Sequence, residues 1–246
     1  MIVSERFWAL ATTGGLLREG EMPVVRGFLG RAPLLRGLVK LASALSPLLR
    51  TDGAARAREQ WLVGAAVIAT FTLVLLPHVV ASLGEVTLTA VLLGWMLRGR
   101  TLFLHGAEHR AISAAEQRHL SETWHGRARP SRFAARCGTN FAALVLPVAA
   151  VLDHLSPRSA ADYAPPLVVL FALALTMELW RLIQHGGRWA RPLLLPGLAL
   201  QRLTTREPRL EETRVALIAL ASVVRRELEV AVDLRVVPAT RRESAA

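Results

Sequence analysis

The sequence has a single cysteine, Cys137. One thiol cannot close an internal disulfide, which excludes a small secreted scaffold stapled by disulfides and leaves Cys137 open to metal or redox chemistry. No signal peptide is legible, because between Met1 and Gly15 the apolar run is confined to Phe7 to Ala11. Glycine-rich phosphate loops and low-complexity tracts are missing. No nucleic-acid motif or aromatic-studded basic patch accompanies the arginines, so nucleic acid is not an expected partner. Acidic residues are scarce, with 19 Asp plus Glu against 30 Lys plus Arg. What is abundant is apolar: 52% of residues, with a mean hydropathy of +0.37. These residues are gathered into blocks with the charge between them, the distribution of an integral membrane protein and not of a soluble or disordered chain.

Two blocks read directly as spans. Trp61 to Leu83 has no charged residue, and Pro165 to Ile183 is apolar up to Glu178. Each approaches the roughly 20 residues a helix needs to cross the hydrocarbon core. Val86 to Leu104, interrupted by Arg98 and Arg100, and Thr139 to Leu155, which holds Pro147 and Asp153, complete a reading of about four spans. Basic residues test that reading, since they concentrate on the cytoplasmic side of bacterial membranes. All of them except Arg158 fall in residues 1 to 60, in Arg98 to Arg136, or from Arg181 onward. Both termini and the middle loop are therefore expected in the cytoplasm of a bacterial inner (plasma) membrane, beside anionic lipid.

Pro33 to Leu49 places Leu34, Leu38, Leu41 and Leu45 at helical spacing around Arg36 and Lys40, as an interfacial helix does. Glu211 to Val232 is a second amphipathic helix, with acidic residues in its first turn and Arg225 and Arg226 near its end. The expected fold is all-α and polytopic. An interfacial N-terminal region (1–60) precedes a four-helix membrane domain (61–184) that carries a cytoplasmic loop at 105–136, and a C-terminal cytoplasmic region (185–246) follows. Thr204-Thr205-Arg206-Glu207-Pro208 reads as the start of the last helix, with a threonine as cap and Pro208 in its first turn.

The sharpest chemical signal is His105-Gly106-Ala107-Glu108-His109. On a helix the two histidines lie one turn apart on one face, the inverted zincin spacing His-x-x-Glu-His, with Glu108 beside them as a candidate base. The four-span topology delivers Cys137, at the start of the third span, and Glu178, near the end of the fourth, to the same depth. Imidazole, thiolate and carboxylate together suit zinc, and iron and manganese accept the same donors. Glu178 reads equally as the partner of Arg98, Arg100 or Arg181, and Cys137 as an apolar filler whose neighbour Arg136 favours the thiolate. Glu116, on about the same face as His109, would orient a ligand histidine or pair with an arginine. Thr139 would cap the third span, and Arg202 and Arg206 would contact this site or lipid phosphates.

These blocks, together with Leu75-Leu76-Pro77-His78, Arg136-Cys137-Gly138-Thr139 and Pro196 through Pro208, resemble the YqhQ-like family of bacterial integral membrane proteins. The resemblance runs in order across about residues 60 to 220. It implies a metal-dependent enzyme, with His105, Glu108, His109, Glu116, Cys137 and Glu178 present, whereas Ser113 and Ala134-Ala135 stand where relatives often carry histidine or His-Pro. The first functional expectation is a zinc-dependent hydrolase at the cytoplasmic face, in which Glu108 takes a proton from the water the metal activates, acting on a membrane protein or lipid substrate. The second is a non-catalytic membrane scaffold or assembly factor with a structural metal or none. A transporter ranks third, because four spans leave little room for a pathway.

Overall fold

Aromatic Phe7 and Trp8 precede Thr12-Thr13-Gly14-Gly15, and in the computed structural model this segment is a hairpin. The structure describes residues 1–24, 27–49, 57–74, 99–155 and 164–240, together with scattered positions between 76 and 94. Strands β1 (Ile2–Val3), β2 (Phe7–Ala11) and β3 (Leu17–Glu21) form an antiparallel sheet in that order, with Phe7 opposite Glu21 and Ala11 opposite Leu17. Gly15 supplies the φ of 81° at the turn, which a side chain would strain. This sheet corrects the all-α expectation. A five-residue apolar run is too short to show a helical or a two-residue period, whereas aromatic residues followed by Gly-Gly carry the hairpin signal.

The main helices among the described residues are α1 (Leu35–Leu49), α2 (Ala57–Val74), α3 (Thr101–Glu116), α4 (Leu120–Trp124), α5 (Gly138–Leu155), α6 (Ala164–His185) and α7 (Leu195–Thr204), and α8 (Leu210–Thr240) ends the described chain. The sheet, α3 and α8 share one core. Ala9, Ala111 and Ala219 are buried there against Ile2, Leu217, Leu220 and Val223. Alanine at 107, 111 and 114 gives α3 a smooth face, so that α8 can approach closely. Polar contacts fasten the rim. Glu227 on α8 accepts hydrogen bonds from the Ser4 hydroxyl at 2.6 Å and from Arg6 Nε at 2.9 Å, and Arg226 lies over the Phe7 ring at 4.5 Å.

The second body is more apolar. Helices α5 and α6 pack together, with Leu144, Ile183 and Leu194 in a small core of their own. Leu167–His185 is long and apolar enough to cross a membrane, and among the described residues it is the one helix that meets this test. Gly138–Leu152 is apolar but shorter. Of the other two expected spans, the first is described as α2 up to Val74, and much of the second lies outside the described residues. α3 begins where the second was expected to end, and its buried face turns to α8 and not to lipid.

Two further local expectations change. Thr204 and Thr205 do not start the last helix. Their hydroxyls donate back to Leu200 and Gln201 carbonyls at 3.3 and 2.7 Å and so close α7, as threonine does when it bonds four residues back. Pro208 stands two residues before α8, outside its first turn. The carboxylate of Glu212 instead accepts the Arg209 N–H at 2.7 Å, the acidic half of a capping box.

Candidate metal centre

α3 carries His105 and His109 one turn apart, and their rings meet edge to face at 4.5 Å. The Nδ1–H of His105 donates to the Thr204 carbonyl at 2.8 Å, and that of His109 to the Arg132 carbonyl at 2.7 Å. A carbonyl only accepts, so Nδ1 of both rings carries a proton and Nε2 is the atom turned toward Cys137, a donor to the thiolate when the ring is protonated and a metal ligand when it is neutral. Nε2 of His105 lies 3.3 Å from Cys137 Sγ. One donor atom from each of His105, His109 and Cys137 falls within 4.8 Å of the others, and His109 and Cys137 are 4% and 6% exposed. Around a tetrahedral zinc with Zn–N near 2.0 Å and Zn–S near 2.3 Å, ligand atoms stand roughly 3.5 Å apart, so this donor set fits one ion.

The electrostatics agree. Burial opposes ionisation of the Cys137 thiol, but hydrogen bonds from His105, His109 and Thr139 outweigh it and lower its pKa to about 5. Burial likewise opposes a charge on His105, yet the hydrogen bond and the charge of Cys137, with help from Thr204 and Glu108, raise its pKa above the usual value. Thr139 holds the sulfur from both its N–H and its hydroxyl, each at 3.3 Å, and its hydroxyl reaches Thr204 Oγ1 at 3.4 Å.

The loop bearing Cys137 is clamped by buried amides. Asn140 donates to the Ala134 and Ala135 carbonyls at 2.9 Å each. Gln201 accepts the Ala134 N–H at 3.0 Å and donates to the Ala134 carbonyl and to Asn140 Oδ1 at 2.8 Å each. Asn140 and Gln201 are 1% and 0% exposed. Gly197, one turn before Gln201, is where α5 and α7 touch, and a Cβ there would run into Asn140. Gly106 does the same for α3, since a Cβ would strike the Arg206 carbonyl oxygen.

Of the residues singled out from sequence, His105, His109 and Cys137 come together, with Thr139 beside them. Glu178 stands apart from this group, bound by the Arg36 guanidinium and accepting the Leu34 N–H at 3.2 Å. Its ion-pair partner comes from α1, a helix distant in sequence; Arg181, one of the expected partners, adds only the attraction of its charge, and Arg98 lies outside the described residues. Glu108 is half-buried, with the Met1 amine at 3.7 Å. Glu116 is exposed in the last turn of α3, and Arg136, Arg202 and Arg206 are exposed. Sequence reasoning missed Asn140 and Gln201, although a neutral polar residue inside an apolar helix was a readable signal. The carbonyls of Arg132 and Thr204 leave no mark in sequence.

Residues 91–226, more than half of the chain, match the family described as Protein of unknown function (DUF1385), and the chain belongs to that family. The match spans α3 through most of α8 and contains every residue of the His/Cys group. No curated protein and no solved structure matches the chain.

Proposed function

We propose that this protein is a multi-pass bacterial inner-membrane metalloprotein whose His105, His109 and Cys137 hold a divalent ion, zinc by preference, at the cytoplasmic face, and that it works as a hydrolase. The observation that carries this reading is the pair of backbone carbonyls that fix both imidazoles with Nε2 turned toward one thiolate. With three protein donors a bound zinc would keep room for a water or substrate, as catalytic rather than structural sites do. When bound, such an ion supplies Lewis acidity toward an oxygen of the substrate or of water. The chain contributes the rest. Thr139 and the amide clamp keep Cys137 in place, Thr204 and Arg132 orient the rings, and the carboxylate of Glu108, between the two histidines in sequence, accepts a proton.

Membrane insertion is supported by Leu167–His185, of which only 22% is buried, whereas the core helix of a soluble protein would be mostly covered. On α5, which packs on α6, Leu146 and Leu155 are exposed as well, and α2 exposes Trp61 and Ile68. Both termini and the middle loop sit in the cytoplasm, where the excess of arginine meets anionic lipid.

A scaffold reading is favoured by one feature, an open apolar groove of about 1470 Å³ along α8, lined by Leu120, Trp124, Leu217 and Leu228. The two readings part on metal. Full-length protein purified in detergent without chelator should carry near-stoichiometric zinc or iron by elemental mass spectrometry, and a folded His105→Ala, His109→Ala variant should carry none. If the wild type holds no metal even after reconstitution, the metalloprotein reading fails and the scaffold reading gains.

A further inference from the structure

Arg110 follows His109 in the sequence but points away from the His/Cys group, toward a cavity of about 280 Å³ between α3, the loop after α4 and the start of α8. It is 6% exposed. Its guanidinium donates to the Pro130 carbonyl at 3.1 Å, the Pro208 carbonyl at 3.4 Å and the Glu207 carboxylate at 2.6 Å. Arginine has five N–H donors, so two remain without a partner among the described residues. Burying a cation with unfilled donors is costly unless an acceptor comes to it.

The other walls are basic as well. Arg129 and Arg209 line the cavity, are exposed, and have no side-chain partner among the described residues. Leu210, the first residue of α8, also lines it, which sets the N-terminus of a 31-residue helix at this wall, where Glu212 already takes the Arg209 N–H. Thr123 is 1% exposed, and its hydroxyl has no hydrogen-bond partner among the described residues. Against three guanidiniums the cavity offers one carboxylate, Glu207, which is 57% exposed and already rests on Arg110. That contact shows Arg110 pairing with a carboxylate oxygen on the solvent side of the cavity.

We infer that this cavity is a binding site for a phosphate group, held by Arg110, Arg129 and Arg209 at the N-terminus of α8. Its volume lies just under the ~300 Å³ at which pockets for drug-sized ligands begin, so it takes a phosphate with a short polar extension and not a nucleotide. Planar guanidiniums bind phosphate through paired hydrogen bonds, and the buried one, pre-oriented by two backbone carbonyls, loses little freedom on binding. The group comes either from a free phosphomonoester or from an anionic lipid headgroup. The inference does not depend on the metal reading, because no residue of the His/Cys group lines the cavity.

The test uses full-length protein in detergent and in nanodiscs. Inorganic phosphate and glycerol 3-phosphate are titrated calorimetrically, and nanodiscs of phosphatidylcholine with and without phosphatidic acid are compared by thermal shift. Binding of either soluble probe, weakened at least about tenfold in Arg129→Ala, Arg209→Ala and strengthened in Glu207→Gln, supports the site with a soluble ligand. A phosphatidic-acid shift lost in the same double variant, with no soluble binding, supports it with a lipid ligand. Equal weakening in Arg118→Ala, Arg127→Ala, which removes the same charge nearby but outside the cavity, reduces the effect to general attraction and overturns the inference. So does the absence of binding in every arm. Metal content of the Arg129→Ala, Arg209→Ala protein should equal that of wild type, so a failure here is distinguishable from a failure of the metal site.

Discussion

Gln201→Met tests whether the Cys137 loop is held by hydrogen bonds or merely filled in by bulk. Methionine nearly conserves the volume of glutamine, so the cavity contribution is small and the loss is one of polar pairing. Three hydrogen bonds of 2.8 to 3.0 Å disappear. The Ala134 carbonyl keeps its partner Asn140, and the half-exposed Ala134 N–H can be taken over by water. Asn140 Oδ1, on a residue 1% exposed, is left orphaned. One fully buried orphan and one partly rescued group cost about 2–4 kcal/mol. For a chain of this size that corresponds to a fall in Tm of about 5–15 °C, readable by intrinsic fluorescence in detergent. Because Ala134 and Ala135 lead into Cys137, metal affinity should fall together with it by about 10–100-fold, the usual effect of loosening a ligand's support. A Gln201→Met protein that melts within about 1 °C of wild type and binds metal equally well would refute the clamp.

Gly106→Ala should destabilise by about 1–3 kcal/mol, because the new Cβ meets the Arg206 carbonyl oxygen, a backbone atom that cannot step aside. Gly64→Ala, with nothing within 4 Å, is the matched control, and both are read by Tm. Glu178→Gln should leave metal stoichiometry unchanged, since its carboxylate serves Arg36 and Leu34, while Arg36→Ala should lower Tm by leaving that carboxylate with the Leu34 N–H and no cation at hydrogen-bond distance. Loss of metal in Glu178→Gln would restore this residue as a ligand. Glu227→Ala should release the N-terminal sheet from α8 and speed proteolysis within residues 1–24. Burial works against the charge of Glu227, but the Ser4 and Arg6 hydrogen bonds outweigh it and hold the carboxyl below the usual range. Its stabilisation is therefore complete above the ordinary carboxylate pKa of about 4.3 and is lost as pH falls through the lower folded value, so wild type and Glu227→Ala should converge in Tm in acid.

The donors of the site were legible because their signal is local. His105 and His109 sit at helical spacing, and a single cysteine stands where an apolar helix begins. Glu178 misled for the same reason that made it conspicuous: an acid in an apolar helix demands a partner, but the demand does not say whether an ion or an arginine meets it. The answer lay in the packing of α1 on α6, which joins residues 142 apart in sequence. The terminal regions were harder still. Phe7 to Ala11 is apolar without a period, so its strand character is carried by Phe7, Trp8 and the Gly14-Gly15 turn alone and is fixed once β3 pairs with it and α8 covers it. Thr204 and Thr205 are equally good at closing one helix and opening the next, and sequence does not decide between these uses.

The order in which the site's supports are assembled leads to a last prediction. α3 supplies two imidazoles, but their tautomers are set by carbonyls at Arg132 and Thr204, which belong to the loop before α5 and to the end of α7. A metal that binds Nε2 of both rings and the thiolate of Cys137 therefore links α3 to the segments 130–139 and 197–206, and contributes nothing directly to the seam between α8 and the sheet. Stripping the metal with chelator should raise amide hydrogen exchange in those two segments by about the binding free energy expressed there, and leave β2 and the α8 residues packed on it protected as before. Uniform loosening of the whole chain would mean that metal and fold are a single cooperative unit. Loosening confined to β2 and α8 would place the ion elsewhere and refute the assignment of His105, His109 and Cys137.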